Sequence, residues 1–396
     1  MIRTGNPRDA TQTCPYCFEQ FKISRAPYRC SNLTCPGKEV DVLLKRQWSK
    51  LAGGGKQGKV LSPGGSLFRR KKCDACKRPT DDRICPACHA PLPPSYGKCE
   101  NAIIAIIGAK NAGKSHYIAT LVKELRDAVG PALQFTLSAV NDYTINRYNK
   151  SFKEPLYNRR VSLNISRSAK TDEEMRIPML FNLQFMGTDW RGRKAIKRTI
   201  LLVFFDTAGE DLNSEATMAT VNRYICCSAG VILLLDPRQL PAVREKLSTD
   251  PREEIIETRD LLARTARLIR NGLGMTADKS GRIPLIQTPI AVAFSKFDEI
   301  EDLVDPAATV RTSRSLSGYD PHESTVISDE IESLLESLEQ SQLVKDLRSW
   351  FRTVSFFGVS ALGCKKRSDQ TLPHAPRPRR VEDPFLWILH KLQFLK

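Results

Sequence analysis

The sequence lacks any long apolar run. No stretch of its 396 residues approaches the roughly 18 to 20 consecutive apolar residues that a membrane-spanning helix needs. Residues 1–13 are polar and have no apolar segment of the kind found in secretory signals. These absences favour a cytosolic protein without a transmembrane segment. The composition, 41% hydrophobic and 27% charged, is that of a soluble protein that buries a core.

Negative charge is scarce at the front of the chain. The net charge is +17, and residues 1–100 contain 19 Lys and Arg against 8 Asp and Glu. Such a basic segment favours a nucleic acid, an anionic membrane or an acidic protein as partner. The alternative is partial compensation, because four thiolates around one Zn²⁺ would contribute −2 at each of two sites.

Eight of the twelve cysteines form four short pairs before residue 90. Without a secretory signal, such pairs favour metal binding over disulfides. Taken in chain order, the pairs predict two structural Zn²⁺ sites, each with four thiolates, and redox-active pairs are the competing interpretation. The first site comprises Cys14, Cys17, Cys30 and Cys35, and the second Cys73, Cys76, Cys85 and Cys88. His89 and Cys99 are spare ligands, whereas Cys226, Cys227 and Cys364 are expected in the core.

This grouping predicts a zinc ribbon at 11–38, a flexible glycine-containing linker at 39–68 and a second ribbon at 69–96. The sequence leaves the partner of the ribbons open. Arg69–Lys72 would contact phosphates or simply remain solvated. Tyr16, Phe18, Phe21 and Tyr28 would stack on bases or merely fill a small ribbon.

From residue 100 to 396, apolar runs alternate with helical segments, which predicts an α/β domain with a mostly parallel sheet flanked by helices. Helices should begin at Lys114, near Asp250 and near Ser324. The last helix, Asp383–Leu395, is expected to pack on the sheet, with a membrane-surface helix as the alternative. The predicted strands are Ala102–Ile107, Pro178–Phe185, Ile200–Phe205, Gly230–Leu235, Pro289–Phe294 and Val354–Val359.

A glycine-rich phosphate-binding motif follows the first of these strands directly. Gly108 and Gly113 let the backbone wrap around phosphates, Lys114 should reach the β- and γ-phosphates, and Ser115 should ligate Mg²⁺. A strand before the motif and a helix after it are the context that this chemistry requires. The predicted phosphate-binding residues are Gly108, Lys110, Asn111, Ala112, Gly113, Lys114, Ser115 and His116.

Asp206-Thr-Ala-Gly209 ends the strand Ile200–Phe205. A carboxylate at this position can hold Mg²⁺, and the Gly209 N–H can contact a γ-phosphate and so sense hydrolysis.

Two motifs at the ends of later strands resemble the guanine-reading motifs of TRAFAC-class GTPases. They are Ser295-Lys296-Phe297-Asp298 and Ser360-Ala361-Leu362. By that resemblance, Asp298 accepts hydrogen bonds from guanine, Lys296 packs along the base, and the N–H of Ala361, next to Ser360, meets the carbonyl oxygen. Ser295 departs from the pattern, because the family usually has Asn there. An ATPase is the alternative.

The resemblance covers residues 100–396 and implies a switch threonine that ligates Mg²⁺, for which Thr171 is the candidate and Ser166 and Ser168 compete. Fifty-five residues separate Ser115 from Thr171, which predicts an insertion at about 131–170 with a strand at Leu133–Val140 and a helix at Asp142–Phe152. An insertion there resembles the bacterial double-GTPase families, whose members are thought to act in pairs in conflict or signalling systems. The chain has one P-loop, so a second GTPase would be a separate protein.

Hydrolysis should not follow the Ras pattern. Glu210 stands where Ras-like enzymes have a water-orienting Gln, and Lys110 would obstruct an arginine finger. Asn111 resembles the residue that helps to hold K⁺ in cation-dependent members, although it can simply cap the loop turn. We therefore predict a GTPase switch that uses GTP/GDP, Mg²⁺, structural Zn²⁺ and K⁺, in which Lys114, Asn111, Thr171 and Gly209 are catalytic. The alternative is a nucleic-acid-binding adaptor with vestigial hydrolysis.

Overall fold

The computed structural model describes residues 11–64, 71–94, 96, 100–163, 172–188, 190–206, 223–247, 258–314 and 318–395. Short antiparallel pairs organise the N-terminal part, joining β1 to β2, β3 to β4 and β5 to β6. These strands are β1 Thr11–Thr13, β2 Gln20–Lys22, β3 Tyr28–Arg29, β4 Val60–Leu61, β5 Lys71–Lys72 and β6 Pro79–Thr80.

The prediction of a flexible linker at 39–68 is wrong for its described part, 39–64. Two short helices, Val42–Gln47 and Ser49–Ala52, occupy it. The Asp41 side chain caps the first helix by accepting from Leu44 N at 3.0 Å. Leu44 and Trp48 are buried in the core, so apolar burial orders this segment despite its glycines.

A seven-stranded sheet forms the centre of the large domain, in the order β13-β12-β11-β7-β10-β9-β8. The first five strands of that order are parallel, and β9 and β8 are each antiparallel to their neighbour. The predicted strands and the mostly parallel sheet are confirmed. The bounds are β7 Glu100–Gly108, β8 Phe135–Ala139, β9 Met179–Thr188, β10 Lys194–Phe204, β11 Gly230–Leu235, β12 Ile290–Phe294 and β13 Val354–Gly358.

The insertion contains the predicted strand, β8, which extends the sheet edge, and a helical segment that becomes a π-helix after Tyr148. The expected helix start near Asp250 lies outside the described residues, and the helix that follows begins at Thr258. The α- and π-helices of the large domain are Lys114–Glu124, Leu125–Val129, Gly130–Ala132, Asp142–Tyr148, Asn149–Asn158, Glu173–Arg176, Pro241–Leu247, Thr258–Gly272, Pro321–Ser337, Ser341–Trp350 and Asp383–Lys391. Short 3-10 turns occupy Ile23–Arg25, Pro237–Gln239, Phe297–Glu299, Glu301–Leu303 and Thr309–Arg311.

The last helix, Asp383–Lys391, packs on the sheet. Phe385, Leu386 and Ile388 are fully buried, and Ile388 lies so close to Gly230 of β11 that a Cβ there would have no room. The packing prediction is therefore confirmed and the membrane-surface alternative is wrong. Within the described ranges, no helix is both long and apolar enough to cross a membrane.

Candidate nucleotide-binding site

The phosphate-binding motif forms a tight loop between β7 and the helix Lys114–Glu124. Asn111 and Gly113 have φ values of 65° and 78°, in the left-handed region that Gly and Asn tolerate best. A Cβ at Gly108 would lie 2.8 Å from the Leu234 carbonyl oxygen, so only glycine fits against β11. The buried Lys114 Nζ donates to the Gly108 carbonyl at 3.0 Å. The ammonium is thus held inside the loop that would cradle phosphates.

Ser115 and Asp206 meet at the edge of the sheet where β7 and β10 end. The Ser115 hydroxyl donates to Asp206 Oδ1 at 2.8 Å, and Asp206 is buried. A hydroxyl and a carboxylate are the oxygen donors that Mg²⁺ prefers beside nucleotide phosphates. The two residues predicted to serve Mg²⁺ are therefore brought together.

The two motifs predicted to read the base lie side by side, after β12 and β13. Ser360 Oγ donates to Asp298 Oδ1 at 2.5 Å and accepts from Gly363 N at 3.1 Å. Ala361, next in the chain, is buried. The contact fixes the rotamer of the Asp298 carboxylate and leaves its remaining acceptor positions for a ligand.

Asp236, which the sequence analysis did not identify, forms an ion pair with Lys296. Asp236 follows β11 directly, and its Oδ2 lies 2.5 Å from Lys296 Nζ. Its side chain is completely buried and that of Lys296 is largely so, so the pair is well shielded from water. The sequence did contain a signal for Asp236, because it is an acid directly after a buried strand, and the same signal identified Asp206.

Ser295, the departure from the guanine-reading pattern, bonds to β11. Its hydroxyl donates to the Leu235 carbonyl at 3.1 Å, and its N–H donates to the same oxygen at 2.9 Å. The loop is further held by a bidentate pair between Arg238 and Glu299, with both N–O distances 2.7 Å. The loop is thus fixed to β11 and the turn that follows it.

His116 links the P-loop helix to the end of the insertion. Its Nε2 accepts from Leu163 N at 3.1 Å and lies 3.1 Å from Ser162 Oγ. Burial, with smaller contributions from the Lys366 and Lys296 charges, lowers the pKa of His116 to about 4. A neutral ring that accepts at Nε2 carries its proton on Nδ1. Its side chain therefore positions the insertion.

A cavity of about 480 Å³ opens beside Ser115 and Asp206, and the insertion lines much of its wall. Arg147, Lys150 and Arg159 are among the lining residues. Thr171, Ser166 and Ser168 lie outside the described residues, and so do Gly209 and Glu210. In the loop itself, Ala112 is buried, Lys110 is half-buried and Asn111 is exposed.

The cysteines form two tetrads, but the predicted pairing is wrong. The structure groups Cys14 and Cys17 with Cys85 and Cys88, and Cys30 and Cys35 with Cys73 and Cys76. Sγ–Sγ distances across the pairs are 3.6 to 3.9 Å. Tetrahedral Zn²⁺ with bonds of about 2.3 Å separates its sulfurs by roughly 3.8 Å, so both tetrads fit zinc.

Backbone contacts explain the interleaving. Arg29 N donates to the Asp82 carbonyl at 2.8 Å and Ile84 N to the Pro27 carbonyl at 3.0 Å, so the second half of this region docks on the first. His89, a proposed spare ligand, instead contacts the Asp41 carboxylate at 2.8 Å. We call residues 11–94 the cysteine module. Cys99 lies outside the described residues, while the partly buried Cys227 and Cys364 pack against the core as expected. Cys226 is also partly buried, and its thiol lies 3.5 Å from the Leu268 carbonyl oxygen.

Comparison with known proteins agrees with this architecture. The family model described as Double-GTPase 2 matches residues 102–350. One curated relative, from Mycolicibacterium smegmatis, is named "Putative ESX-1 scaffolding and assembly protein SaeC". It is 27% identical over 323 residues, which span 77% of this chain and 78% of SaeC.

Solved structures align only loosely. The bacterial selenocysteine-specific elongation factor EF-Sec aligns with a TM-score of 0.26 and 13% identity, over 75% of this chain and 29% of that one. The GTP-bound GTPase-like domain of Ski7 from S. cerevisiae aligns with a TM-score of 0.32 and 15% identity, over 75% of this chain and 51% of that one. The chain thus spans about half or less of either structure. The family match covers more than half of the chain, and the protein belongs to the Double-GTPase 2 family.

Proposed function

We propose that this protein is a GTP-binding and GTP-hydrolysing switch whose nucleotide state is sensed by the cysteine module. One observation carries the proposal. The P-loop, the Ser115–Asp206 pair and the Lys296–Asp298 motif all lie at the carboxyl edge of the parallel strands of one sheet, where ligands of open α/β sheets bind.

The phosphate end of the site supports Mg²⁺-assisted hydrolysis. Lys114 is already inside the loop, and turning its ammonium from the Gly108 carbonyl toward the β- and γ-phosphates needs only a side-chain movement. Ser115 and Asp206 would hold Mg²⁺, which neutralises charge on the phosphates when bound. We propose that Thr171 also ligates Mg²⁺ and that the Gly209 N–H contacts the γ-phosphate.

The base end supports guanine. The Asp298 carboxylate, oriented by Ser360, would accept from the guanine N1–H and exocyclic amine, which adenine cannot supply in that pattern. Lys296, held by Asp236, would pack along the base. This polar complementarity favours GTP over ATP.

In many GTPases an arginine finger supplies positive charge in the transition state of hydrolysis. We propose that a K⁺ ion near Asn111 supplies that charge here. Asn111 is exposed and has a left-handed backbone. The half-buried Lys110 beside it leaves less room for an arginine finger from another protein. A monovalent ion would supply positive charge where phosphate charge develops.

We call residues 207–222, which contain Gly209 and lie outside the described residues, the second switch segment; an aromatic stack that includes Phe18 of the cysteine module lies at the residues on either side of it. Phe18 of the module packs on Phe205 with ring centroids 5.5 Å apart, and Phe205 stacks on Tyr224 at 4.5 Å. Phe205 immediately precedes Asp206, and Tyr224 comes two residues after the segment. A rearrangement of the segment would therefore act on Phe18 through a buried aromatic stack.

The module also contacts the chain directly after Thr171. Lys50 Nζ lies 3.4 Å from Asp172 and 3.2 Å from Glu174, while Lys50 N donates to Glu173 at 2.9 Å. These contacts are partly exposed, so each stabilises weakly. Their position matters more, because one module touches the flanks of both proposed switch segments.

GTP turnover by the full chain tests the proposal. The wild type should hydrolyse GTP, and Lys114→Ala should reduce the rate at least 100-fold, because it removes the charge at the β- and γ-phosphates. If wild type and variant turn over GTP equally slowly, the adaptor with vestigial hydrolysis is the better description.

A second measurement tests the coupling. Chelator-driven zinc release should differ between the GDP-bound protein and the protein bound to a non-hydrolysable GTP analogue. Phe18→Ala should remove that difference. Phe21→Ala is the matched control, because it truncates a module aromatic that stacks on Tyr96 rather than on Phe205. Equal release rates with both nucleotides in the wild type would contradict the coupling.

A protein partner fits the family best. SaeC is named as a scaffolding and assembly protein, and we propose that this chain also acts on a protein, with a separate second GTPase as one candidate. A role in a conflict or signalling system, the cytosolic location and nucleic-acid binding by the basic module remain predictions. A salt-dependent mobility shift with RNA or DNA tests the last of these.

A further inference from the structure

Strands β9 and β10 form a basic two-stranded ribbon, with Trp190 at its tip, that projects from the end of the sheet opposite the proposed nucleotide site. Pairing of β9 with β8 extends to Phe185, and pairing of β10 with β7 begins at Ile200. Beyond those points β9 and β10 pair with each other, out to Thr188 and Lys194. Because β10 runs parallel to β7, whose carboxyl end carries the P-loop, the ribbon tip lies at the far edge. The ribbon tip is therefore remote from the residues proposed to bind nucleotide.

The ribbon carries large apolar side chains in solvent. Trp190 at the tip is 83% exposed and Ile196 is 52% exposed. Ile196 pairs with Met186 across the ribbon, so these two side chains share one face. Trp190 is the most exposed tryptophan of the four in the chain, since Trp48 and Trp387 are buried and Trp350 is half-buried.

Positive charge surrounds these apolar side chains. The sequence from 186 to 198 contains five Lys and Arg and a single acid. Arg191, Arg193, Lys194 and Lys197 are all exposed. The tip thus combines an amphipathic aromatic ring with a net charge of +4 over thirteen residues.

The base of the ribbon is fixed to the body of the protein. Arg198 donates to the Gln393 carbonyl at 2.8 Å, and its guanidinium lies 4.2 Å from the centre of the Phe394 ring. The register shifts between Ile196 and Arg198, and an irregularity of this kind bends a strand. The contacts of Arg198 therefore hold the base of the ribbon against the body of the protein, while the tip extends into solvent.

We propose that this ribbon tip docks the protein on an anionic lipid surface. Trp is favoured at the membrane interface because its ring is apolar and its N–H remains near the headgroups. Lys and Arg beside it gain from the negative potential of anionic lipids. A convex two-stranded tip can enter the headgroup layer, whereas single-stranded nucleic acid needs a groove with open stacking faces. One face of Trp190 already carries Arg191, at 4.2 Å.

Vesicle binding tests the proposal on the full chain. The protein should sediment with vesicles of phosphatidylcholine and phosphatidylserine but not with phosphatidylcholine alone, and salt should weaken the binding. Tryptophan emission should shift to shorter wavelength on binding, and Trp190→Phe should abolish most of that shift. The double variant Lys194→Gln/Lys197→Gln should bind roughly 30-fold more weakly, from about 1 kcal/mol per cation.

A charge-matched control separates this site from overall charge. Lys279→Gln/Lys345→Gln removes two exposed lysines from other surfaces and should leave vesicle binding almost unchanged. Equal losses in the two double variants would overturn the proposal, as would an absence of binding to anionic vesicles at low salt. A ribbon-dependent shift with an RNA oligonucleotide, without vesicle binding, would assign the surface to nucleic acid and also overturn it.

Discussion

Two double-cysteine variants distinguish interleaved zinc sites from consecutive ribbons. Cys14→Ser/Cys88→Ser removes two thiols from one tetrad and leaves the other tetrad whole. Cys14→Ser/Cys30→Ser removes one thiol from each tetrad. We therefore expect one full-affinity zinc site in the first variant and none in the second. Consecutive ribbons would give the opposite result, so the two variants control for each other.

The magnitude follows from the number of thiolates lost. Structural Zn²⁺ sites bind with about 10 to 16 kcal/mol, so each of four thiolates contributes roughly 2.5 to 4 kcal/mol. Loss of one should weaken a site about 10² to 10³-fold, and loss of two roughly 10⁴-fold or more. A chelator of intermediate affinity will then remove zinc from an incomplete tetrad and leave it in a complete one.

The assay is zinc content by mass spectrometry after equilibration with that chelator, with wild type expected to retain two ions per chain. The reasoning is refuted if Cys14→Ser/Cys30→Ser retains one ion while Cys14→Ser/Cys88→Ser retains none. The same result would mean that the two halves of the cysteine module fold independently, against the Arg29–Asp82 and Ile84–Pro27 hydrogen bonds.

Three further predictions concern the large domain. Asp298→Asn should weaken GTP binding by about 2 to 3 kcal/mol in a fluorescent-nucleotide titration and leave ATP binding unchanged; tighter wild-type binding of ATP than of GTP would contradict the guanine assignment. Asp236→Ala should weaken GTP binding roughly tenfold by releasing Lys296 from its short contact, whereas no change would mean that the base-reading loop does not need this brace. Burial raises the pKa of Glu382 to about 7, above its unfolded value near 4.3. Its stabilising contribution is therefore present below pH 4 and lost as pH rises through 7. Glu382→Gln should match wild type in thermal unfolding at pH 4 and exceed it by roughly 1 to 3 kcal/mol at pH 8, and parallel curves would contradict this.

Strand positions were the most predictable part of the fold. Buried parallel strands such as β7 and β11 are continuous runs of Ile, Leu, Val and Ala, because both faces are covered. Their order was not predictable, since hydrophobicity does not say which strands are neighbours. The helix start at Lys114 was predicted correctly, because Gly108 and Gly113 mark a phosphate-binding loop and such a loop leads directly into a helix.

The missed features all depend on contacts between distant residues. Asp236 looks like a turn residue until β11 and β12 pair and place its carboxylate beside Lys296. Residues 42–52 resemble a linker because their apolar side chains have no local partner. Trp48 instead packs against Tyr16, with ring centroids 6.0 Å apart.

The sequence by itself determined the chemistry of this protein. Spacing within a few residues predicted a phosphate loop, an acid after a strand, two motifs proposed to read the base and eight paired thiols, because each of these depends on local backbone geometry. The tertiary structure decided which of those groups meet. The cysteine tetrads join pairs up to 74 residues apart, and the Phe18–Phe205 contact brings the module beside Asp206 of the candidate nucleotide site. Local patterns carry no information about such pairings, since they are selected by burial and backbone hydrogen bonding across the whole chain.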